Sequence, residues 1–392
     1  MPPSLLSPTS ALFAALRCAP VWFLVAMADS GTAHFALPVL ALVSVWAAWR
    51  GELDLAGDLD GIEWGALIFA ATWMASSAFG LDPARSFLLS IPMLDALTSL
   101  FVLRRQRNAA QSLAAFDVAL FLLGLWQCLQ LTVPLLFGLA GEAAVRRSDA
   151  MWLVEPNDLG WIAATWPPLL ALTTGRGRIL VGIPIIFGLI LMLLLGSRLA
   201  LLVSVLALAP MLTRSPPRVV ALGLALTIAL VAAALVVDPA ILAKGSASLA
   251  NRVQLWQTAW QVFFDWPWLG TGPNGFELAY TRYLPAAIAF DPRDTPWPHS
   301  LPLEIAAVTG LAGIFATVLL VFVAYRNYHA EPTSNSERRR VVLVQCAVFA
   351  VLGLFEASFL RLWVWMLATS ILCRLMRHAP IRSDISSKGG SL

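Results

Sequence analysis

The stretch Leu191-Met-Leu-Leu-Leu-Gly-Ser-Arg-Leu-Ala-Leu-Leu202 joins two apolar segments with almost no polar loop between them. Similar apolar segments recur along the chain from residue 11 to residue 376. In the whole sequence 59% of residues are hydrophobic and only 12% are charged, whereas about a quarter of a soluble domain is charged. The sequence therefore predicts a polytopic membrane protein and argues against a soluble enzyme.

The apolar segments predict about twelve transmembrane helices, since a helix needs roughly 20 apolar residues to cross a bilayer. The predicted spans are 11–28, 34–49, 63–80, 87–103, 112–137, 159–173, 179–195, 199–213, 219–238, 301–324, 341–357 and 360–376. We therefore predict an all-α fold that forms one integral membrane domain over residues 1–392. Its largest interruption is a loop at residues 239–300.

The lysines and arginines divide unevenly between the two sides of this predicted topology. The larger set has 16 members: Arg50, Arg104, Arg105, Arg107, Arg176, Arg178, Arg214, Arg218, Arg326, Arg338, Arg339, Arg340, Arg374, Arg377, Arg382 and Lys388. The smaller set has nine: Arg85, Arg146, Arg147, Arg198, Lys244, Arg252, Arg282, Arg293 and Arg361. Positive residues are enriched in short cytoplasmic loops. The larger set therefore places both termini in the cytoplasm of a bacterium, and the 239–300 loop on the periplasmic side of its inner membrane.

The 239–300 loop begins with a predicted amphipathic helix and continues into a stretch rich in glycine and proline. Residues 251–264 place tryptophans and phenylalanines at helical spacing, which suits a helix lying at the membrane surface. Residues 265–276 cannot continue that helix. Gly270, Gly272 and Gly275 serve either as turns or as positions where backbone amides approach an anionic ligand.

Three residues on the predicted periplasmic side are candidates for chemistry. Arg198 lies between two apolar spans, where an arginine costs about 2.5 to 3.5 kcal/mol at the centre of a span and needs a counter-charge. Arg252, at the start of the surface helix, binds either a substrate anion or lipid headgroups. His299 lies in a position that also suits a polar anchor. Histidine is the side chain best able to accept a proton near neutral pH. Glu304 either orients His299 or interacts with the helix dipole.

Other polar residues keep further functions open. Asp95, Asp117 and Glu356 lie inside or at the ends of spans and would form the proton path of a transporter. Asn157, just before a span, also suits a helix N-cap. The four cysteines have no paired metal-binding spacing, and no metalloprotease or nucleotide-binding motif is present. The basic residues are scattered through short loops, which argues against a nucleic-acid partner.

Taken together, several short motifs resemble the superfamily of bacterial O-antigen ligases and O-antigen polymerases. They occur in the order typical of that family: Glu155-Pro-Asn-Asp-Leu-Gly160, Gly196-Ser-Arg-Leu-Ala200, Arg252-Val-Gln-Leu-Trp256, Pro267-Trp-Leu-Gly-Thr-Gly-Pro273, Pro298-His-Ser-Leu-Pro-Leu-Glu304 and Gly310-Leu-Ala-Gly313. The motifs cover residues 150–325, and the number of spans fits over the whole chain. Ser300 departs from the family pattern, which often has Asn there.

The resemblance implies a membrane glycosyltransferase with a helical fold similar to the C-type glycosyltransferases. The donor would be a glycan on undecaprenyl diphosphate, and the acceptor lipid A-core oligosaccharide or a growing glycan, with membrane lipids around it. No cofactor and no metal ion are expected, and a single displacement would invert the anomeric configuration. Arg198 and Arg252 match the arginines assigned to the donor diphosphate, and His299 matches the histidine that activates the acceptor.

The expected substrate-binding residues are Arg198, Arg252, Glu304, Asn157 and Gly272. We expect a ligase first and an O-antigen or exopolysaccharide polymerase second. A protein O-oligosaccharyltransferase and a transporter are the remaining alternatives.

Overall fold

The computed structural model describes residue 53, residues 57–136 except 107, 159–212 except 174, 175, 195 and 196, 241–280, 282–283, 297–330 and 336–375. Within these residues the chain is α-helical, apart from one isolated bridge between Leu53 and Gln106. The helices are α1 Gly61–Phe79, α2 Pro83–Leu89, α3 Ile91–Arg105, α4 Ala109–Leu136, α5 Gly160–Ala163, α6 Trp166–Leu172, α7 Arg176–Leu194, α8 Arg198–Leu212, α9 Ile241–Asp265, α10 Gly275–Tyr280, α11 Leu301–Ala330, α12 Ser336–Phe355 and α13 Leu362–Arg374. The predicted helical fold is confirmed for this part of the chain.

Several helices have the composition of membrane spans. Three stretches are long and apolar enough to cross a bilayer: Pro83–Arg105, Ala109–Leu129 and Leu301–Ala330. Shorter apolar helices are Arg178–Leu194, Arg198–Pro210 and Trp363–Arg374. These helices support an integral membrane protein. Because the predicted spans 11–28, 34–49 and 219–238 lie outside the described residues, the total of twelve stays a prediction.

The predicted span 159–173 is interrupted, which corrects the prediction of one continuous helix there. It consists of α5 with four residues and α6 with seven. Pro167 and Pro168 have no backbone N–H, so a continuous helix would lose two of its hydrogen bonds at this point. The buried side chain of Gln345 donates from Nε2 to the carbonyl of Ala164 at 3.1 Å, which satisfies one group at the interruption.

Helix α11 is broken at Gly310, and residues 267–272 of the preceding loop fill the break. Gly310 has φ 63° and ψ −157°. This backbone conformation is incompatible with an α-helix. Four backbone hydrogen bonds cross the break: Thr271 N–H to Ala307 O at 3.0 Å, Gly272 N–H to Val308 O at 3.0 Å, Leu311 N–H to Pro267 O at 2.7 Å, and Ala312 N–H to Trp268 O at 3.1 Å. The loop thus supplies partners to groups that the break leaves unpaired.

The C-terminal end of α1 packs against the same loop. The hydroxyl of Ser76 donates to the carbonyl of Val308 at 2.5 Å, and the N–H of Leu81 donates to the carbonyl of Thr271 at 2.9 Å. At its other end, α1 places Gly61 against Val323, far along α11. Helices α1 and α11 therefore run antiparallel, with the break near the end of α1.

Charged residues cluster at one end of the helix bundle, which we call the charged end. The charged end carries Asp60, Glu63, Arg104, Arg105 and Arg374; there Arg105 Nη2 lies 3.0 Å from Glu63 Oε2, and Arg104 Nη1 donates to the carbonyl of Leu372 at 3.1 Å. Helix α13 ends at Arg374 and has 13 residues, which span about 20 Å. Helix α13 therefore starts, at Leu362, at the opposite end of the bundle. Helix α11 also starts there, at Leu301.

A substitution at Gly310 tests the helix break. In Gly310→Ala the new Cβ would lie 2.6 Å from the backbone of Trp268, and a φ of 63° also disfavours any side chain. We expect a loss of at least about 1 to 3 kcal/mol of stability, the typical size of such backbone strain. The measurement is thermal unfolding of the purified protein in detergent.

The matched control is Gly182→Ala in α7, where a Cβ would meet nothing within 4 Å. Because alanine favours a helix over glycine by roughly 0.5 to 1 kcal/mol, this control should be neutral or slightly more stable. Equal melting temperatures for the Gly310 variant and the wild type would contradict the role given to the break.

Candidate functional site

Glu356 contacts two of the candidate residues identified in the sequence, His299 and Arg252. It follows directly after α12, and its side chain is only 1% exposed. Its Oε1 lies 3.2 Å from Nδ1 of His299, and its Oε2 accepts a hydrogen bond from Nη2 of Arg252. Three distant parts of the chain thus meet on one buried carboxylate. The site end of the bundle is defined by these three residues.

His299 is held in an unusual backbone conformation immediately before α11. Its φ is 52°, in the left-handed region that few non-glycine residues adopt. The carbonyl of the next residue, Ser300, accepts the N–H of Glu304 at 2.8 Å, which fixes His299 to the first turn of the helix. With a proton on Nδ1 donated to Glu356, Nε2 would be an acceptor. In the described part of the chain Nε2 has no hydrogen-bond partner.

Arg252 lies on α9, and its contacts with the described residues use only part of its guanidinium group. Its side chain is 17% exposed, and Nη2 pairs with Glu356. The Nε and Nη1 groups have no partner among the described residues, so N–H donors are left for an anion. One turn further along α9, the ring of Trp256 lies 6.3 Å from the ring of Phe355. This contact packs α9 against the end of α12, beside Glu356.

Glu304 supports the turn that carries Glu356. Its buried carboxylate accepts from the hydroxyl of Ser358 at 2.9 Å and from the N–H of Phe359 at 3.1 Å. The ring of Phe359 also packs 4.7 Å from the ring of Trp365. The sequence left two roles open for Glu304, to orient His299 or to interact with the helix dipole. The contacts of Glu304 reach His299 through the turn at residues 356–361, and a role in binding substrate stays a prediction.

The other predicted substrate contacts differ in their placement. Arg198 is the exposed first residue of α8 and has no contact with Glu356. Two residues later, Ala200 borders Gly160, which also borders Leu352, one turn before Glu356. Arg198 therefore lies at the same end of the bundle as the site. Asn157 falls outside the described residues.

Gly272 lies in the loop that fills the break in α11. Its N–H donates to the carbonyl of Val308 at 3.0 Å, and its φ is 83°. A Cβ there would lie 2.8 Å from the hydroxyl of Ser86, so glycine is required for close packing. In this structure the amide is thus occupied by the protein, and a contact between Gly272 and the substrate stays a prediction.

The carboxylates considered for a transporter have three separate environments. Glu356 belongs to the site end. Asp117 pairs with Arg374 and accepts from the hydroxyl of Ser370 at 3.0 Å, towards the charged end of the bundle. Asp95 is buried on α3, and neither of its oxygens has a hydrogen-bond partner among the described residues. The sequence grouped Glu356 with Asp95 and Asp117, whereas the structure places it beside His299 and Arg252. Its place at the periplasmic end of a predicted span was an available signal for this position.

Comparison with known proteins supports the resemblance found in the sequence. Residues 170–318 match the model of a family described as O-antigen ligase. The matched region includes Arg198, Arg252 and His299, and it ends before Glu356. No curated protein matches the chain. The match supports the superfamily that the motif order predicted.

The ion pair between Asp117 and Arg374 gives a second test of stability. We expect Asp117→Ala to destabilise the protein by roughly 3 to 5 kcal/mol, because the buried charge of Arg374 loses its partner. Replacing both residues, as Asp117→Leu with Arg374→Met, should restore much of that stability. Chemical denaturation in detergent measures both effects; a single variant as stable as the wild type would contradict a structural role for Asp117.

Proposed function

We propose that this chain, which belongs to the superfamily of O-antigen ligases and polymerases, is an O-antigen ligase. It would transfer polysaccharide from undecaprenyl diphosphate to lipid A-core oligosaccharide during lipopolysaccharide synthesis. One observation carries the proposal: His299, a proton acceptor, and Arg252, an anion binder, share the carboxylate of Glu356. This pairing suits a reaction in which a hydroxyl loses its proton while an anionic group departs.

Arg252 and Arg198 would bind the diphosphate of the donor. Negative charge grows on the diphosphate as its bond to the anomeric carbon breaks. Arginine keeps its positive charge and donates several charge-assisted hydrogen bonds to phosphate oxygens. The N–H groups of Arg252 that have no partner among the described residues would donate to the diphosphate. Charge placed in advance where the transition state becomes anionic is commonly the largest catalytic contribution.

His299 would take the proton from the acceptor. The hydroxyl oxygen of the acceptor sugar forms a bond to the anomeric carbon, and its proton passes to Nε2 of His299. The bonding electrons leave with undecaprenyl diphosphate, and the imidazolium then returns its proton to water. This single displacement inverts the anomeric configuration. Among the described residues Nε2 has no hydrogen-bond partner, which supports this step, since a general base must reach the proton that it removes.

Glu356 would support both His299 and Arg252 without contacting the sugar. By accepting from Nδ1 it keeps the acceptor lone pair of His299 on Nε2, and it stabilises the imidazolium that forms. By pairing with Arg252 it fixes the direction of the guanidinium group. Because the carboxylate is buried, both contacts are shielded from water, which strengthens them.

The placement of charges supports a site on the periplasmic side of the inner membrane. Arg104, Arg105 and Arg374 belong to the larger basic set and lie at the charged end of the bundle. His299 and Arg252 lie at the opposite end. If the larger set faces the cytoplasm, as the positive-inside rule predicts, the site opens to the periplasm with both termini cytoplasmic.

Transfer assays with the purified protein test the proposal. The donor is undecaprenyl-diphosphate-linked glycan, offered with lipid A-core in one reaction and with carrier-linked repeat units in another. We expect product on lipid A-core, with His299→Ala lowering kcat by about 100-fold or more, as for loss of a general base. Arg252→Ala should lower kcat by about 100- to 1,000-fold because the leaving group loses a donor.

The matched controls are His329→Ala and Arg326→Ala, two exposed residues near the other end of α11, which should transfer at the wild-type rate. Chain extension on the carrier in place of transfer to lipid A-core would make the protein a polymerase. If no glycan is transferred to lipid A-core, to the carrier-linked repeat units or to a protein acceptor, the proposal is overturned and transport is favoured.

The dependence of the rate on pH tests whether His299 accepts the proton or only positions the acceptor. If it is the base, the wild-type rate falls as pH is lowered and His299 becomes protonated, and this fall disappears in His299→Gln. Glu356→Gln should keep the fall but lower kcat, by less than His299→Ala does. Identical pH profiles for wild type and His299→Gln would exclude proton acceptance by this residue.

A further inference from the structure

Trp297 lies beside His299 in a segment whose shape is fixed. The centroids of the indole and imidazole rings are 5.4 Å apart, with 56° between the ring planes. The buried Pro298 between them restricts the backbone, and His299 is itself held at φ 52°. The backbone that carries the two rings is therefore restricted. The side chain of Trp297 is partly exposed.

The indole N–H of Trp297 is a donor that the described residues leave unpaired. Among the described residues it has no hydrogen-bond partner, although the nitrogen is shielded from water. Buried polar groups in proteins are nearly always paired, and each exception needs an explanation. A hydroxyl group of a ligand would provide the missing partner once binding uncovers the indole edge.

The turn at residues 356–361 connects Trp297 to the rest of the site. The guanidinium carbon of Arg361 lies 4.9 Å from the centroid of the Trp297 ring, in a cation–π contact. Arg361 directly precedes α13, on the turn that also carries Glu356. One short segment therefore fixes both the imidazole, through Glu356, and the indole, through Arg361.

From these contacts we propose that Trp297 forms the wall of a subsite for the acceptor sugar, which rests on the proposed transferase function. An indole offers an apolar ring together with one N–H donor, and a pyranose offers an apolar C–H face edged by hydroxyls. The position assigns the subsite to the acceptor. Trp297 contacts His299, which is bound to Oε1 of Glu356, whereas Arg252 is bound to Oε2. Trp297 is thus a residue that determines specificity for the acceptor.

Steady-state kinetics of Trp297→Ala and Trp297→Phe test this subsite. We expect Trp297→Ala to raise KM for lipid A-core about tenfold, the effect of losing one aromatic contact, while KM for the donor and kcat change less than twofold. Trp297→Phe keeps a ring but loses the N–H, so its KM should lie between those of the wild type and the alanine variant. The control is Trp64→Ala, an exposed tryptophan near the charged end.

A second measurement separates the subsite from the reaction. Deacylated core oligosaccharide is titrated into the protein without donor, and binding is followed calorimetrically. Weaker binding to Trp297→Ala than to the wild type supports the subsite even if no transfer occurs, whereas failed transfer alone counts against the proposed function. An equal rise in KM for donor and acceptor would overturn the subsite, as would a fall in kcat with both KM values unchanged, which would leave Trp297 as packing for His299.

Discussion

The break in α11 at Gly310 is the constraint on which the rest of the structure depends. Inside a membrane an unpaired backbone group is costly, so a helix can be interrupted only where protein supplies the missing partners. Residues 267–272 supply them, and the end of α1 bonds to the same point through Ser76. The break therefore ties the loop after α9 to the core of the bundle. It fixes α9, and with it Arg252, relative to the start of α11, where His299 lies.

Buried charge organises the site end in a similar way. Glu356 and Glu304 are both carboxylates removed from water, and each is acceptable there only because its oxygens have donors. Glu304 binds the turn that follows α12, and Glu356, on that turn, binds the side chains of His299 and Arg252. The carboxylates form two successive layers of support. Under the proposed function, this arrangement orients the positive charge of Arg252 before the donor arrives.

Much of the fold and part of the site were predictable from the sequence. Apolar length predicted the helices, and motif order predicted the superfamily and the candidates Arg198, Arg252 and His299. Periodicity did not predict the interruption of α11, since Gly310 lies within an apolar run and its partners are about 40 residues away. It also did not assign Glu356, because a carboxylate at the end of a span has the same local pattern in a proton path and in a glycosyltransferase. Such assignments depend on contacts between distant segments.

The turn that carries Glu356 is also the last part of the site to be synthesised. Arg198, Arg252 and His299 all precede it in the chain, and α12 lies between them and the turn. Until α12 is inserted, the nascent protein has its histidine and arginine but no carboxylate to orient them. Under the proposed function, an incompletely inserted chain would therefore not consume lipid-linked donor at the translocon. Activity would begin only once the whole bundle has assembled.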